Sequence, residues 1–379
     1  MKKVTLLSPG PTPVPQRVLL AMAQPLIHHR APDFAGIFQK VRDGLKMVYE
    51  TKSEVLVYSS SGTGAMESAV VNLLSPGDKA IFVNGGKFGE RWGSLLRAYG
   101  CQPLEIKVPW GYAADPAQAA ALLAQDPSIK AVYVQALETS TGVEHPVEEL
   151  ARVCRKSNAL LVVDAVSCLA ATRLPMDAWG IDVMVGGSQK ALMLPPGLAF
   201  VGIGPRALPV MKESRLPKFY FSWDKEIKNQ RENKGAFTSA VSMFFGLIDV
   251  FEMLREYGMD KVYAETALRA RAFGAAMEAW GLKSYARQNP SPALTAVECP
   301  SGIDGEAVVK WLRGKYGIFI AGGQDEAKGR IFRVAHMGYI TEFDTLQAVS
   351  AIEMALHGLG YDFNMGSGVA AAQQVFGED

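Results

Sequence analysis

Three short stretches of this 379-residue chain hold residue types that could do chemistry together. The first is Ser59-Ser60-Ser61-Gly62-Thr63-Gly64, which precedes a helical pattern. Free backbone N–H groups at a helix start, with hydroxyls beside them, make a natural phosphate site. An ordinary glycine-rich turn with a Ser or Thr cap would use the same residues. The segment has neither a GxGxxG run nor a Gly-Lys-Ser/Thr ending, which argues against dinucleotide and nucleoside-triphosphate loops. The second stretch ends the apolar run Leu160–Val163 on Asp164. A carboxylate there must meet a cation, a metal or a set of donors, because burying it unpaired is costly; capping the next segment would also account for it. The third is Gly186-Gly187-Ser188-Gln189-Lys190, after Val183–Val185. A lysine among apolar residues usually snorkels to the surface. One at the carboxyl end of a buried strand, beside glycines that allow close approach, is placed to be a desolvated amine that forms an imine with a carbonyl.

Each signal alone is weak, and their combination is specific. A phosphate cradle, an acid for a pyridinium nitrogen and an imine-forming lysine are together the requirements of one cofactor, pyridoxal phosphate (PLP). In open α/β sheets ligands sit at the carboxyl ends of the strands, so these residues need strands behind them. Short apolar runs predict strands at Val55–Tyr58, Lys79–Val83, Ala131–Gln135, Leu160–Asp164, Val183–Gly186 and Leu198–Ile203. Helical patterns alternate with them, as in a layered α/β domain with a largely parallel sheet. Met66, Val70, Leu73 and Leu74 share one face of the first intervening helix.

From about Tyr257 the texture changes to a smaller α+β unit. It has a long helix over Met259–Trp280, a strand near Ala293–Glu298, and a helix capped by Asp304 that reaches about Tyr316. A last strand follows at Arg330–Val334, then a helix opening on a Thr341/Asp344 capping box. The tail beyond Gly360 is rich in Gly and Ala and reads as loosely held. The expected division is an N-terminal arm (1–15), a large domain (16–256) and a small C-terminal domain (257–379).

Net charge is +1, with 49% hydrophobic and 20% charged residues and no basic stripe interleaved with aromatics. That argues against nucleic acid as a partner and against an electrostatic hold on a membrane. No run approaches the about 20 apolar residues of a membrane span. The four cysteines, Cys101, Cys154, Cys168 and Cys299, form no CxxC pair, so neither a metal site nor a disulfide framework is expected. The expectation is a reduced, cytoplasmic enzyme.

The chain resembles the class V aminotransferases of PLP fold type I, and within them the alanine–glyoxylate and serine–pyruvate aminotransferases. The resemblance runs from Ser8-Pro9-Gly10-Pro11-Thr12 to beyond Arg333. Its most specific part is Val162-Val163-Asp164-Ala165-Val166-Ser167, with Lys190 26 positions after Asp164 and a Pro195-Pro196-Gly197 turn beyond.

It implies an α/β fold: a large αβα domain with a mostly parallel sheet and a smaller C-terminal α+β domain. It gives Lys190 the cofactor as a Schiff base and Asp164 the ring nitrogen. Ser61, Gly62 and Thr63 would hold the phosphate, with Gln189 beside them; Phe88 would stack on the ring and Thr139 would lie near its substituents. Thr238 matches a phosphate contact supplied by the neighbouring subunit of a homodimer, although a tyrosine common three places earlier is Gly235 here. Arg333 would grip the substrate α-carboxylate bidentately, and the segment around Gly10 would shape the substrate pocket. The implied reaction moves an amino group from a small amino acid, alanine or serine favoured, to a 2-oxo acid, glyoxylate or pyruvate favoured, by a ping-pong cycle. Aspartate as donor, or a lyase of the cysteine desulfurase type, is the alternative; the lyase would need a cysteine on the Gly322–Gly329 loop, which has none. A non-catalytic regulator on the same fold would need a DNA-binding appendage, and none is visible.

Overall fold

Residues 3–378 are described by a computed structural model, so the first two residues of the expected arm lie outside the described part. The central sheet has seven strands. Their order is Glu54–Ser59, Leu198–Ile203, Val183–Gly187, Leu160–Asp164, Ala131–Gln135, Lys79–Asn84 and Gln102–Lys107. Leu198–Ile203 runs antiparallel to both neighbours and the remaining pairs are parallel. All six strands read from apolar runs are present, with ends within one residue of expectation.

These strands are apolar throughout because both faces are covered. Alternate side chains enter two separate cores: Val55, Ile81, Val83, Leu161 and Val163 join one that includes Phe38 and Phe251. Leu56, Phe82, Leu160 and Val162 join the other, with Met66, Val70 and Trp92. The seventh strand, Gln102–Lys107, went unread. It pairs on one side only, carries Pro103, and buries little beyond Ile106. An edge strand with a solvated face has the mixed composition of a loop.

Two long helices meet at Gly258, whose φ of +90° turns the chain between Val241–Tyr257 and Met259–Ala279. The C-terminal part then builds a three-stranded antiparallel sheet from Leu294–Glu298, Ile331–Ala335 and Ala321–Gly322. The Asp304 cap and the Thr341/Asp344 capping box both form. Thr5–Leu6 pairs with Ile318–Phe319, and Leu7 extends this by bonding Phe319 O at 2.8 Å and accepting from Ala335 N at 2.8 Å.

The tail corrects one expectation: it is not loosely held. Ser367–Gly377 is a helix, and Ala372 is fully buried in the C-terminal core. The buried Glu353 carboxylate is its anchor, accepting Gly368 N at 2.8 Å, Gly366 N at 3.2 Å and Trp280 Nε1 at 3.0 Å. Glu353→Ala would strand those donors, so its urea unfolding midpoint should fall, with a loss of about 2–3 kcal/mol. An unmoved midpoint would return the tail to a loose appendage.

Candidate active site

Local structure at the carboxyl end of the sheet gathers most of the expected residues around one cavity. After Glu54–Ser59 the chain enters the helix Gly62–Leu73, with Ser61 as its N-cap accepting Gly64 N at 3.4 Å. Ser61, Gly62 and Thr63 line one end of the cavity, where unpaired N–H groups and the positive end of the helix dipole favour an anion. Gly62 is confined against Val166: a Cβ there would stand 2.7 Å from Val166 Cγ2.

Phe88 and Thr139 line the same cavity. The helix Lys87–Ala98 that carries Phe88 is fastened by a buried carboxylate, Glu138, which accepts Phe88 N at 3.1 Å and Gly89 N at 3.0 Å. Glu138 also takes Gln135 Nε2 at 2.9 Å and Ser140 N at 3.1 Å. Burial raises its pKa against the pull of those donors. Gly89 is required at this join, since a Cβ would lie 2.7 Å from Gln135 Nε2.

Asp164 and Lys190 face the same space, together with Gln189. Asp164 closes its strand opposite Gln135 and Val185, and its carboxylate accepts one described hydrogen bond, from Val166 N at 2.9 Å. Burial raises its carboxyl to about 6, opposed by that N–H and by the charges of Arg91 and Lys190. The bond to Val166 N is the local cap foreseen as the plain reading, yet no described cation is hydrogen-bonded to this buried acid. The Lys190 amine donates to Pro9 O. Burial pulls its pKa down to about 8; Asp164 raises it, and Arg333 and Arg91 lower it. The Gln189 amide oxygen is buried without a partner, so the fold has not consumed that side chain.

Gly10 lies over Lys190. Its φ is +144°, and a Cβ would come within 2.6 Å of Lys190 Cε, so only glycine fits. The segment is tied down by Thr12, whose Oγ1 donates to Lys190 O at 2.6 Å and whose N–H donates to Gln189 O at 3.2 Å.

Arg333 sits on Ile331–Ala335, 7% exposed rather than on the surface. It donates to Thr139 O at 2.7 Å through Nη1, and to Gly322 O at 2.9 Å through Nε and 2.7 Å through Nη2. Its described bonds are all to carbonyls, and burial brings its pKa down to about 10. Arg333 is not itself in the cavity wall but bonds to Thr139, which is, and a buried guanidinium with no hydrogen-bonded carboxylate can take one.

Thr238 is not brought to this cavity. It lines a separate crevice with Tyr58, Tyr220, Gly235 and Phe237. Conversely, Met66, Arg91, Leu137, Val166 and Ser167 line the cavity without having been singled out. Arg91 was within reach of the sequence, one helical turn beyond Phe88 and therefore on the same face.

The donor set fits PLP: a helix N-terminus for a phosphate, an aromatic and an apolar wall for a ring, and a buried acid with no hydrogen-bonded cation for a pyridinium. The lysine faces the same space. Among the described residues no group of His, Cys, Asp or Glu is arranged to hold a metal, and no helix is long and apolar enough to cross a membrane.

Comparison with known proteins agrees with this geometry. Residues 4–340 match the family described as aminotransferase class-V. The chain is 43% identical to a protein of Synechococcus sp. named "Soluble hydrogenase, small subunit", over 98% of each. It is 34% identical to the L-aspartate–glyoxylate aminotransferase of Paracoccus denitrificans, covering 97% of this chain and 95% of that one. Among solved structures, the ureidoglycine–glyoxylate aminotransferase of Bacillus subtilis superposes with a TM-score of 0.95 at 27% identity, over 100% of this chain and 99% of that chain. A family match over most of the sequence, on a fold and a donor set that suit PLP, makes this chain a member of the class V aminotransferases, PLP-dependent enzymes of fold type I.

Proposed function

We propose that this aminotransferase moves the amino group of a small neutral amino acid, alanine or serine, to glyoxylate or pyruvate in a ping-pong cycle. The observation that carries the reading is the shared cavity of Lys190 and Asp164, with Arg333 one hydrogen bond away through Thr139. PLP, when bound, supplies an electron sink for the charge that develops at the substrate Cα.

The chain's own residues do the rest. Lys190 would hold the cofactor through its amine, and the same amine would move the proton to and from the substrate Cα; an amine brought down to about 8 by burial is well poised for both directions at neutral pH. Asp164 holds the proton on the pyridine nitrogen. Ser61, Gly62, Thr63 and Gln189 would bind the phosphate, Phe88 would face the ring, and Thr139 would lie near its substituents. Arg333 turns its fork from the Gly322 and Thr139 carbonyls to the α-carboxylate, and Gly10 leaves room for substrate beside Lys190.

The small neutral donor is favoured because the guanidinium that lines the cavity, Arg91, is already turned to Thr63 and the Phe88 ring. Glyoxylate as acceptor is favoured by its recurrence in the names of relatives, among them the serine–glyoxylate aminotransferase of Arabidopsis thaliana. The same reading keeps the three-part division of the chain and makes the enzyme a homodimer, in which Thr238 serves the partner's site. It also places the enzyme in the cytoplasm, where four free thiols stay reduced. A desulfurase-type lyase is disfavoured by Cys299, whose thiol burial pushes up to about 12, far from a ready nucleophile.

Product analysis tests the reaction. Donors assayed singly against glyoxylate, pyruvate and 2-oxoglutarate should show alanine or serine with glyoxylate yielding glycine and the new oxo acid in equal amounts. Oxo acid without glycine, or with sulfide or ammonia, would reject transamination; preference for aspartate would reject the small-donor assignment alone.

A further inference from the structure

Arg91 is a guanidinium inside the cofactor cavity to which the reading above gives no task. It follows Phe88 by one turn of the helix Lys87–Ala98, and its guanidinium carbon lies 4.8 Å from the centre of the Phe88 ring. Its Nη1 donates to Thr63 Oγ1 at 3.1 Å, on the neighbouring helix Gly62–Leu73. That is its one described hydrogen bond, and no carboxylate pairs with it among the described residues. A partly buried arginine without an acid keeps its full charge for whatever else faces the cavity.

Resting on the site reading above, we propose that Arg91 is a positioning residue of the cofactor site. It locks the ring-facing Phe88 to the phosphate-binding Thr63 and holds a permanent positive charge beside the Asp164–Lys190 pair. The two halves of the proposal have separate physical grounds. The lock ties the side chains of Thr63 and Phe88, on two different helices, through one guanidinium. Glu138 fixes the peptide N–H groups of Phe88 and Gly89 but leaves the Phe88 side chain free to turn. A cation over an aromatic face restrains that ring, and the planar fork can do so while still donating to Thr63. The charge acts on both members of the pair, favouring ionised Asp164 and neutral Lys190. The other groups facing the pair are Arg333 on the lysine side, and Glu138, the Tyr49 hydroxyl and the Cys168 thiol on the aspartate side. Glu138, Tyr49 and Cys168 bring no positive charge, so Arg91 is the cation Asp164 has besides Lys190 itself.

The test uses the full chain loaded with PLP, comparing wild type, Arg91→Gln and Arg91→Lys. PLP affinity is read by equilibrium dialysis, and the pH midpoint of the bound cofactor's absorbance change is read without substrate. Arg91→Gln should weaken PLP about tenfold and raise the midpoint on the order of one pH unit, because a charge that disfavours protonation at Lys190 is gone. Arg91→Lys should restore the midpoint but not the full affinity, since it returns the charge without the fork. It also serves if the glutamine variant does not fold. Weakened PLP with an unmoved midpoint in Arg91→Gln would overturn the electrostatic half, and unchanged affinity would overturn the lock. Wild type that carries no PLP on Lys190 after borohydride reduction would sink the site reading itself; labelled Lys190 with an indifferent Arg91→Gln sinks this proposal alone.

Discussion

Lys190→Ala is expected to lose at least about 10²–10⁴-fold in kcat, the share that proton transfer by a positioned base alone contributes, while still taking up PLP. The two outcomes separate because different parts of the fold carry them. The amine belongs to a single residue in the loop after Val183–Gly187, but the proposed anion site is the start of a different element, the helix Gly62–Leu73, and survives the substitution. Borohydride treatment of wild type followed by peptide mapping should place a phosphopyridoxyl group on Lys190 and leave the alanine variant unlabelled. A label on another lysine would refute the assignment. Exogenous small amines should return part of the lost rate, since the cavity left by the side chain opens beside Gly10.

Asp164→Asn comes second in expected size. A charge-assisted hydrogen bond is worth about 1.5–3 kcal/mol net, so one to two decades of rate loss is the floor, with the loss of the ring's capacity as an electron sink added. The direction of pH dependence follows from the same residue. In the cofactor-free protein the Asp164 carboxyl is raised to about 6 by burial. Below that value it is neutral and has no charge to offer a protonated pyridine nitrogen. PLP affinity of the wild type should therefore fall as pH drops through about 6, and that fall should vanish in Asp164→Asn. Near-normal turnover in the variant would leave Asp164 as the cap of Val166 and nothing more.

The core of the candidate site was legible because Asp164 ends an apolar run and Lys190 follows another across a short glycine-led loop, and neither can be left unpaired in a buried place. The central strands were legible for the related reason that a strand covered on both faces has no polar positions to blur it. What failed to show were features that depend on partners distant in sequence. Gln102–Lys107 is a strand only because Lys79–Asn84 lies beside it. The tail helix owes its hold to small residues: a Cβ on Gly368 would stand 2.6 Å from Trp280 Cε2, so the glycine that reads as looseness permits the closest packing. Arg91 lies 28 positions from Thr63, and nothing in the local pattern links the two. The Arg333 partners, Thr139 and Gly322, belong to loops that the fold alone brings together.

The N-terminal segment joins the two halves of the reaction mechanically. Leu7 is bonded into the small sheet at Phe319 and at Ala335, two residues from Arg333, whereas Thr12 is bonded to the backbone of Gln189 and Lys190. Four residues, Ser8 to Pro11, two of them proline, span the interval. Little slack is available in so short and stiff a tether. Any shift of the sheet that carries the carboxylate clamp must be absorbed within those four residues or passed on to the lysine backbone. Tension on one end is thereby felt at the other, and on the proposed roles of Arg333 and Lys190 the seating of a substrate and the aim of the amine could not be set independently.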